Sequence, residues 1–402
     1  MNNSQSKQLH INISGDDYPG ILANVIVLAV RFGWDIIDIK QFVFNGLLNL
    51  SMLMEGGGSV DSLRTELNEY GRKTGLNIGL QSWDVGRLLD SPYHHKFVVT
   101  ILGKRIDSEA LLEFTKTIAE NDTNILRIEQ LDYGDYHVLE ILLGLKKSAS
   151  GAKLFEQLLR VKENQSVDIA VQEDTLFRRN KRLIVMDADM TFLQCEVIDE
   201  LGKLAQKEKA MKAITSRTMN GEMDFTEALR QRVALLKGLP VSKLYELLPR
   251  IPMTPGAEGL VRILKHLGYK IAIVSGGFQF FIDKLKEKYG LDYGFANSLK
   301  IEKEILTGEI EGDIVDAQTK EKLLVSLAEK EGISLKQVVA VGDGANDIYM
   351  LAAAGLGIAF NAKPIVQQHV QASINISNLE LILYFLGISG KELKELRRVT
   401  QP

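Results

Sequence analysis

Asp187 and Asp189 stand two residues apart, directly behind the apolar run Leu183-Ile184-Val185-Met186. Such a run predicts a buried strand, and side chains at i and i+2 of an extended segment point the same way. Two carboxylates would then share one small volume, where joint ionisation is costly. A bound cation, or a proton shared with a substrate, removes that cost.

Two other stretches carry groups of matching chemistry. Ser275-Gly276-Gly277 follows the apolar YKIAIV and precedes the helical pattern FQFFIDKLKEKYG, so a hydroxyl and backbone N–H groups can meet an anion at a helix N-terminus. Asp343, Asn346 and Asp347 follow the apolar VVAVG. Carboxylates from two strands suit a hard cation such as Mg²⁺, which takes one or two protein carboxylates plus substrate phosphate. Lys320, in VDAQTKEKLL, can add a compensating positive charge. Singly, each group also reads as a surface turn or a plain loop. Occurring together, each of the three strand-end groups behind its own apolar run, they are poorly explained by coincidence.

The elements that must position these groups follow from the pattern around them. LIVM, YKIAIVS and VVAVGD are nearly continuous apolar runs, as in parallel strands covered on both faces, and helical patterns alternate with them. In open α/β sheets ligands bind outside the carboxyl ends of the strands, so the three groups converge on one crevice. Residues 196–250 are rich in helical patterns, FTEALRQRVALLKG being the clearest, and sit straight after the first strand. They read as a cap over that strand's end.

The first 170 residues contain one unit twice. In the first copy LHINIS is a strand, PGILANVIVLAVRF a helix opened by Pro19, DIIDIKQFVF and LLNLSMLME two strands, SVDSLRTELNEYGRK a helix and LNIGLQSW a strand. The second copy repeats the order from KFVVTILG to SVDIAVQ. Each is βαββαβ, the ferredoxin-like order. No nucleophile, metal cluster or phosphate loop stands out in this half, which reads as a binding or assembly region. The expected division is 1–90 and 91–172 for the two copies, 173–182 (EDTLFRRNKR) as a linker, and 183–402 for the α/β part.

Composition narrows the setting. Of 402 residues, 45% are apolar and 25% charged, and the net charge of −4 gives no reason to propose nucleic acid or a membrane as partner. The N-terminus lacks the apolar core of a signal peptide, and no apolar run is long enough to span a bilayer. A single cysteine, Cys195, excludes an internal disulfide framework and a cysteine-based zinc site. A cytoplasmic enzyme is expected. The six histidines show no metal-ligand spacing, and His94-His95 in SPYHHK reads as a solvated loop.

DxDxT at 187–191, the serine at 275, Lys320 and GDGAND at 342–347 resemble the four motifs of the haloacid dehalogenase-like phosphatases. CEVIDELG, MNGEMDF, EALRQRVALLKGLP, VSGGF, FAN, GDIVDAQTK and VGDGANDIYML resemble, more narrowly, the phosphoserine phosphatase family, over about residues 180–385. Gly15-Asp16-Asp17-Tyr18-Pro19-Gly20 resembles the first loop of ACT domains, small amino-acid-binding modules; Gly103-Lys104-Arg105-Ile106-Asp107 lacks the Pro-Gly. The fold implied is α/β: a Rossmannoid parallel sheet of the haloacid dehalogenase-like kind with a helical cap after its first strand, preceded by two ferredoxin-like ACT domains.

The resemblance also implies roles. Asp187 would be the nucleophile that forms an aspartyl-phosphate and Asp189 the general acid and base. Mg²⁺ would be held by Asp187, the backbone carbonyl of Asp189 and Asp343, with Asn346 and Asp347 in support. Ser275, Gly276 and Lys320 would hold phosphoryl oxygens. Glu196 would meet the substrate ammonium and Arg232 its carboxylate, while Met219 and Phe225 exclude water; without the resemblance these would read as solvated charges and cap core. Met190 departs from the usual serine, and Cys195 reads as a small hydrophobe rather than a redox brake on the site. The ACT pair implies regulation or a homodimer, with L-serine at Gly15, Asp16, Asp17, Pro19 and Gly20 as the expected ligand. Two alternatives remain open at this level: transfer of the phosphoryl group from phosphoserine to another alcohol, and an amino-acid sensor with a silent phosphatase half.

Overall fold

The structure is a computed structural model that describes residues 7–83, 93–147, 149–219 and 222–401, the side chains of residues 94 and 219 excepted. It divides into two compact units, 1–92 and 93–402.

In the first unit, β1 (Lys7–Asp16), β2 (Trp34–Phe44), β3 (Leu47–Gly56) and β4 (Asn77–Trp83) form an antiparallel sheet in the order β2-β3-β1-β4. Helices α1 (Ile21–Arg31) and α2 (Val60–Thr74) close its core. The periodicities show why: Leu9, Ile11 and Ile13 alternate along β1, while Ile21, Val25 and Ala29, and Leu63 and Leu67, recur at helical spacing, and all join one buried cluster. The start of α1 differs from the sequence expectation. Pro19 lies before the helix, and Gly20 caps it with φ 100°, a left-handed value at which a side chain is strained.

The second unit begins with the same motif: β5 (Tyr93–Gly103), α3 (Ser108–Glu120), β6 (Thr123–Tyr133), β7 (His137–Lys146), α4 (Gly151–Gln165) and β8 (Asp168–Glu173). Their sheet order, β6-β7-β5-β8, repeats that of the first unit. The SPYHHK stretch is not a loop throughout. Strand β5 starts at Tyr93, and His95 pairs with Leu145 of β7; the His94 side chain lies outside the described residues.

An α/β sheet follows, built from β9 (Leu183–Met186), a helical insertion, α9 (Ala257–His266), β10 (Lys270–Phe278), α10 (Gln279–Tyr289), β11 (Tyr293–Glu302), β12 (Ile305–Glu311), α11 (Ala317–Lys330), β13 (Val338–Gly342), α12 (Ile348–Ala353), β14 (Leu356–Phe360) and β15 (Ala372–Ile374). Strands β9, β10, β11, β13, β14 and β15 are parallel. Ile184, Met186, Ile273 and Val341 fall in one buried cluster and Leu183, Val185, Val274 and Ala340 in another, so both faces are covered. The insertion comprises α5 (Val197–Leu204), α6 (Glu208–Met219), α7 (Phe225–Ala234) and α8 (Ser242–Leu247). The chain leaves the sheet at Leu193 and returns beside it at Met253, where the two residues form a bridge.

The second ferredoxin-like motif and the α/β sheet are continuous. Edge strand β8 pairs antiparallel with β15, giving one eleven-stranded sheet. Lys162 of α4 donates to Ser373 Oγ at 2.6 Å, and Asp168 accepts from Asn375 N at 2.8 Å. The polar stretch 173–182 is largely exposed but anchored to this seam by Arg178 and Lys181, which are buried. No described helix is long and apolar enough to cross a membrane.

Candidate active site

Strand order β10-β9-β13 places three polar strand ends side by side. Chain connections run from β9 to both sides, which makes its carboxyl end a switch point where a crevice opens. Asp187, the first residue beyond β9, keeps its N–H on Val341 O at 2.9 Å. Its Oδ1 accepts from Ala188 N at 2.7 Å and from Lys320 Nζ at 2.9 Å.

The chain then makes a wide turn over 188–192, closed by Leu193 N donating to Ala188 O at 2.8 Å. Met190 takes φ 58°, a left-handed conformation that costs about 1 kcal/mol or more for such a residue, and its side chain is exposed. Thr191 anchors the turn. Its hydroxyl donates to Asp343 Oδ1 at 3.1 Å and its carbonyl accepts from Thr254 at 2.7 Å, both threonines being buried. Asp189 thereby projects beside the Ser275–Gly277 segment: a Cβ on Gly277 would lie 3.2 Å from Asp189 Oδ2.

Lys320, on α11, is fully buried and donates to Asp187 and, at 2.7 Å, to Asp347 Oδ1. The other oxygen of Asp347 accepts from Asp343 N at 3.2 Å and Gly344 N at 3.0 Å. Gly342 permits this: an added Cβ would stand 2.5 Å from the Asp347 carboxyl carbon. Burial works against the Lys320 charge, but the Asp187 and Asp347 carboxylates outweigh it and hold its pKa above the ordinary lysine value.

Burial, then the neighbouring Asp347, pushes the Asp187 pKa well up, although Lys320 pulls the other way. Asp189 is raised by burial and by Glu196. Asp343 is pushed up to about 7 by burial and Asp347. One carboxylate oxygen each from Asp187, Asp343 and Asp347 lies within 4.8 Å of the others. Three carboxylates against one lysine leave an excess of negative charge, and the all-oxygen set suits a hard divalent cation. The Asp189 carboxylate is not in that cluster. Its Oδ1 is buried with no hydrogen-bond partner among the described residues.

Ser275 is buried toward the carboxyl end of β10, where the pairing with β11 is interrupted, its Oγ accepting from Gly277 N at 2.9 Å. Asn297, also buried, donates to Gly276 O and accepts from Val315 N, both at 2.8 Å, tying this segment to the approach of α11. Asn297 falls in the FAN stretch that carries part of the family resemblance, but sequence reasoning gave it no role of its own. From the cap, Phe225 reaches the same place, since a Cβ on Gly276 would lie 3.0 Å from its ring tip. Arg232 is partly buried on α7, with an Nε that lacks a partner among the described residues. Glu196 stands at the N-terminus of α5 without a side-chain capping bond; burial raises its pKa and Arg232 lowers it, so the two charges sense each other. Asp199 adds a buried oxygen without a described partner near Glu196. Asn346 sits in the turn 345–347 beside Asp347. Met219 ends α6, and its side chain lies outside the described residues. Cys195 has its thiol pushed up to about 11, first by burial and then by Asp189, which keeps it protonated and a poor nucleophile.

A carboxylate turn behind the central strand of a parallel sheet, a buried lysine and a helical cap define a class, and residues 184–352 match the haloacid dehalogenase-like hydrolase family. Residues 7–81 and 95–172 each match an ACT domain. A phosphoserine phosphatase from Streptomyces coelicolor is 37% identical over 96% of this chain and 93% of its own length. The phosphoserine phosphatase SerB2 of Mycobacterium tuberculosis is 36% identical over 96% and 94%. A crystal structure of a HAD family hydrolase from Salmonella enterica serovar Typhi superposes with a TM-score of 0.63 at 28% identity, covering 72% of this chain and 98% of that one. The chain belongs to the phosphoserine phosphatase family of haloacid dehalogenase-like hydrolases, with two ACT domains before the catalytic sheet.

Proposed function

We propose that the enzyme hydrolyses O-phospho-L-serine to L-serine and phosphate in two covalent steps with Mg²⁺, in the cytoplasm, as the last step of serine biosynthesis. One observation carries the mechanism: Asp187 bears a lysine on its Oδ1, while Asp189, with a raised pKa, keeps a buried oxygen free of any described partner. The Asp187 carboxylate attacks phosphorus and the bond to the serine oxygen breaks. Asp189 gives that oxygen its proton, then takes one from the water that cleaves the aspartyl-phosphate. Lys320, Ser275 and the N–H of Gly276 stabilise the phosphoryl oxygens as their charge shifts.

Asp187, Asp343 and the backbone carbonyl of Asp189 would hold Mg²⁺, with Asn346 and Asp347 behind them; when bound it supplies positive charge that offsets repulsion between carboxylate and phosphate. In the cap, Glu196 takes the substrate ammonium and Arg232 its carboxylate, supported by the unused Arg232 Nε. Phe225, against Gly276, and Met219 keep bulk water out. Phosphate release from phosphoserine and a panel of small monoesters, with and without Mg²⁺ and with no acceptor alcohol, tests this reading. Absence of release from phosphoserine would overturn it, and turnover only on addition of an alcohol would make the enzyme a phosphotransferase.

The ACT pair regulates or dimerises the enzyme, and L-serine binds in the first repeat at Gly15, Asp16, Asp17, Pro19 and Gly20. Support comes from the contrast between repeats. Helix α1 has no side-chain cap, and a Cβ on Gly20 would meet only Asn24 at 3.9 Å, whereas α3 is closed by Asp107 accepting from Ala110 N at 2.9 Å. The free N–H groups of α1 are open to a carboxylate.

A further inference from the structure

Within the second unit, a cleft of about 770 Å³ opens where the ACT motif meets the catalytic sheet. Phe97 of β5, Leu154 and Phe155 of α4, and Val370 before β15 give it apolar walls. Arg178 and Lys181 also line it, and both are 5% exposed.

The charges at that end do not balance. Arg178 donates through Nη2 to Glu140 Oε2 at 2.8 Å, and its Nη1 has no partner among the described residues. Glu140 is fully buried and already accepts from Arg127 and Arg179 as well. Lys181 donates once, to the Lys336 carbonyl at 2.7 Å, a neutral acceptor. Two buried cations thus face one buried carboxylate, the Glu173 carboxylate at the same cleft being exposed to solvent, and they sense each other: the Lys181 pKa is lowered first by burial and then by Arg178. Gln172, at the same cleft, donates to Phe385 O and leaves its buried Oε1 unpaired among the described residues. Leaving buried cationic donors unpaired is costly, so an anion supplied from outside would be stabilised there.

We propose that this cleft binds a small carboxylate with an apolar body, its oxygens on Arg178 Nη1 and the Lys181 ammonium and its body against Phe97, Leu154 and Phe155. A bare phosphate would meet the charge but leave the apolar walls wet, in a space several times its size. The cleft lies where the ACT motif and the catalytic sheet join through β8 and β15, and no active-site residue lines it, so the proposal stands independently of the phosphatase mechanism.

The test is calorimetric titration of the full chain with 3-phenylpropionate and with L-phenylalanine, using 3-phenylpropanol as the uncharged control. At least one carboxylate is expected to saturate, with the alcohol weaker by about tenfold or more. Saturation by L-phenylalanine alone assigns an amino acid; saturation by 3-phenylpropionate assigns an organic acid. Arg178→Met should weaken binding by a similar factor. Because that change disturbs Glu140, Ala152→Trp, at an exposed cleft position, provides a second block that leaves the buried charges intact. The proposal is overturned if neither carboxylate saturates below about 10 mM, if the alcohol binds equally well, if Ala152→Trp leaves binding unchanged, or if only inorganic phosphate binds.

Discussion

Lys320 Nζ lies 2.9 Å from Asp187 Oδ1, so the proposed nucleophile carries a fixed counter-charge before substrate arrives. The same ammonium holds Asp347, and both partners are buried. Replacing it with an apolar residue would leave Asp187, Asp343 and Asp347 facing one another. Lys320→Met should cost about 3 kcal/mol of stability, the low end for breaking a buried pair because the carboxylates can take up protons. Turnover should fall by roughly 10²–10³. Urea unfolding and steady-state phosphate release measure the two effects.

Asp187→Asn preserves shape but not nucleophilicity. Turnover should drop by at least about four orders of magnitude with the circular dichroism spectrum unchanged. Asp189→Asn should lose roughly 10²–10⁴, because proton transfer is removed while the phosphoryl site remains. Substantial activity in folded Asp187→Asn protein would exclude the covalent route.

Arg232→Lys keeps the charge and loses the planar fork. Phosphoserine kcat/KM should fall by about tenfold or more, while O-phosphoethanolamine, which lacks the carboxylate, should change little. Equal losses on both substrates would remove Arg232 from carboxylate recognition.

Lys181 sets a pH dependence of stability. Its pKa is lowered from 10.5 to about 8, chiefly by burial. Below pH 8 both folded and unfolded chains carry the proton and the burial cost is felt in full. Between about pH 8 and 10 the unfolded chain binds more protons, so this group's contribution to stability rises with pH. Lys181→Met should flatten that rise relative to the unsubstituted protein, read as urea midpoints across the window. Parallel slopes in the two proteins would show that Lys181 is not the group responsible.

L-serine should alter the sedimentation of the full chain if the first ACT domain binds it. Gly20→Val should suppress that response, since Gly20 sits at φ 100° and a β-branched residue there is strained. The same substitution should leave phosphoserine turnover without L-serine nearly unchanged. A serine response that persists in a folded Gly20→Val protein would move the ligand elsewhere.

The local code of the catalytic half was legible in the sequence. Apolar runs such as LIVM and VVAVG fit strands covered on both faces, which they are, and that places the carboxylates behind them at strand ends. The doubled βαββαβ pattern was equally legible, because strand and helix periodicities differ and each copy shows both. The start of α1 was less so: Pro19 is a good helix opener, but Gly20 alone could take the left-handed cap, and the backbone decided between them.

Tertiary structure decided what depends on residues distant in sequence. Asn297 belongs to the FAN motif in the sequence but has no assignable partner until Gly276 and Val315 come within hydrogen-bond reach. EDTLFRRNKR reads as a linker because its composition is polar and basic. In the fold, Glu140 draws Arg178 inward, the Lys336 carbonyl takes Lys181, and β8 joins β15, so two charged residues of an otherwise exposed stretch are buried. A charged side chain's burial is fixed by the partner it finds, and the sequence by itself specifies the charge but not that partner.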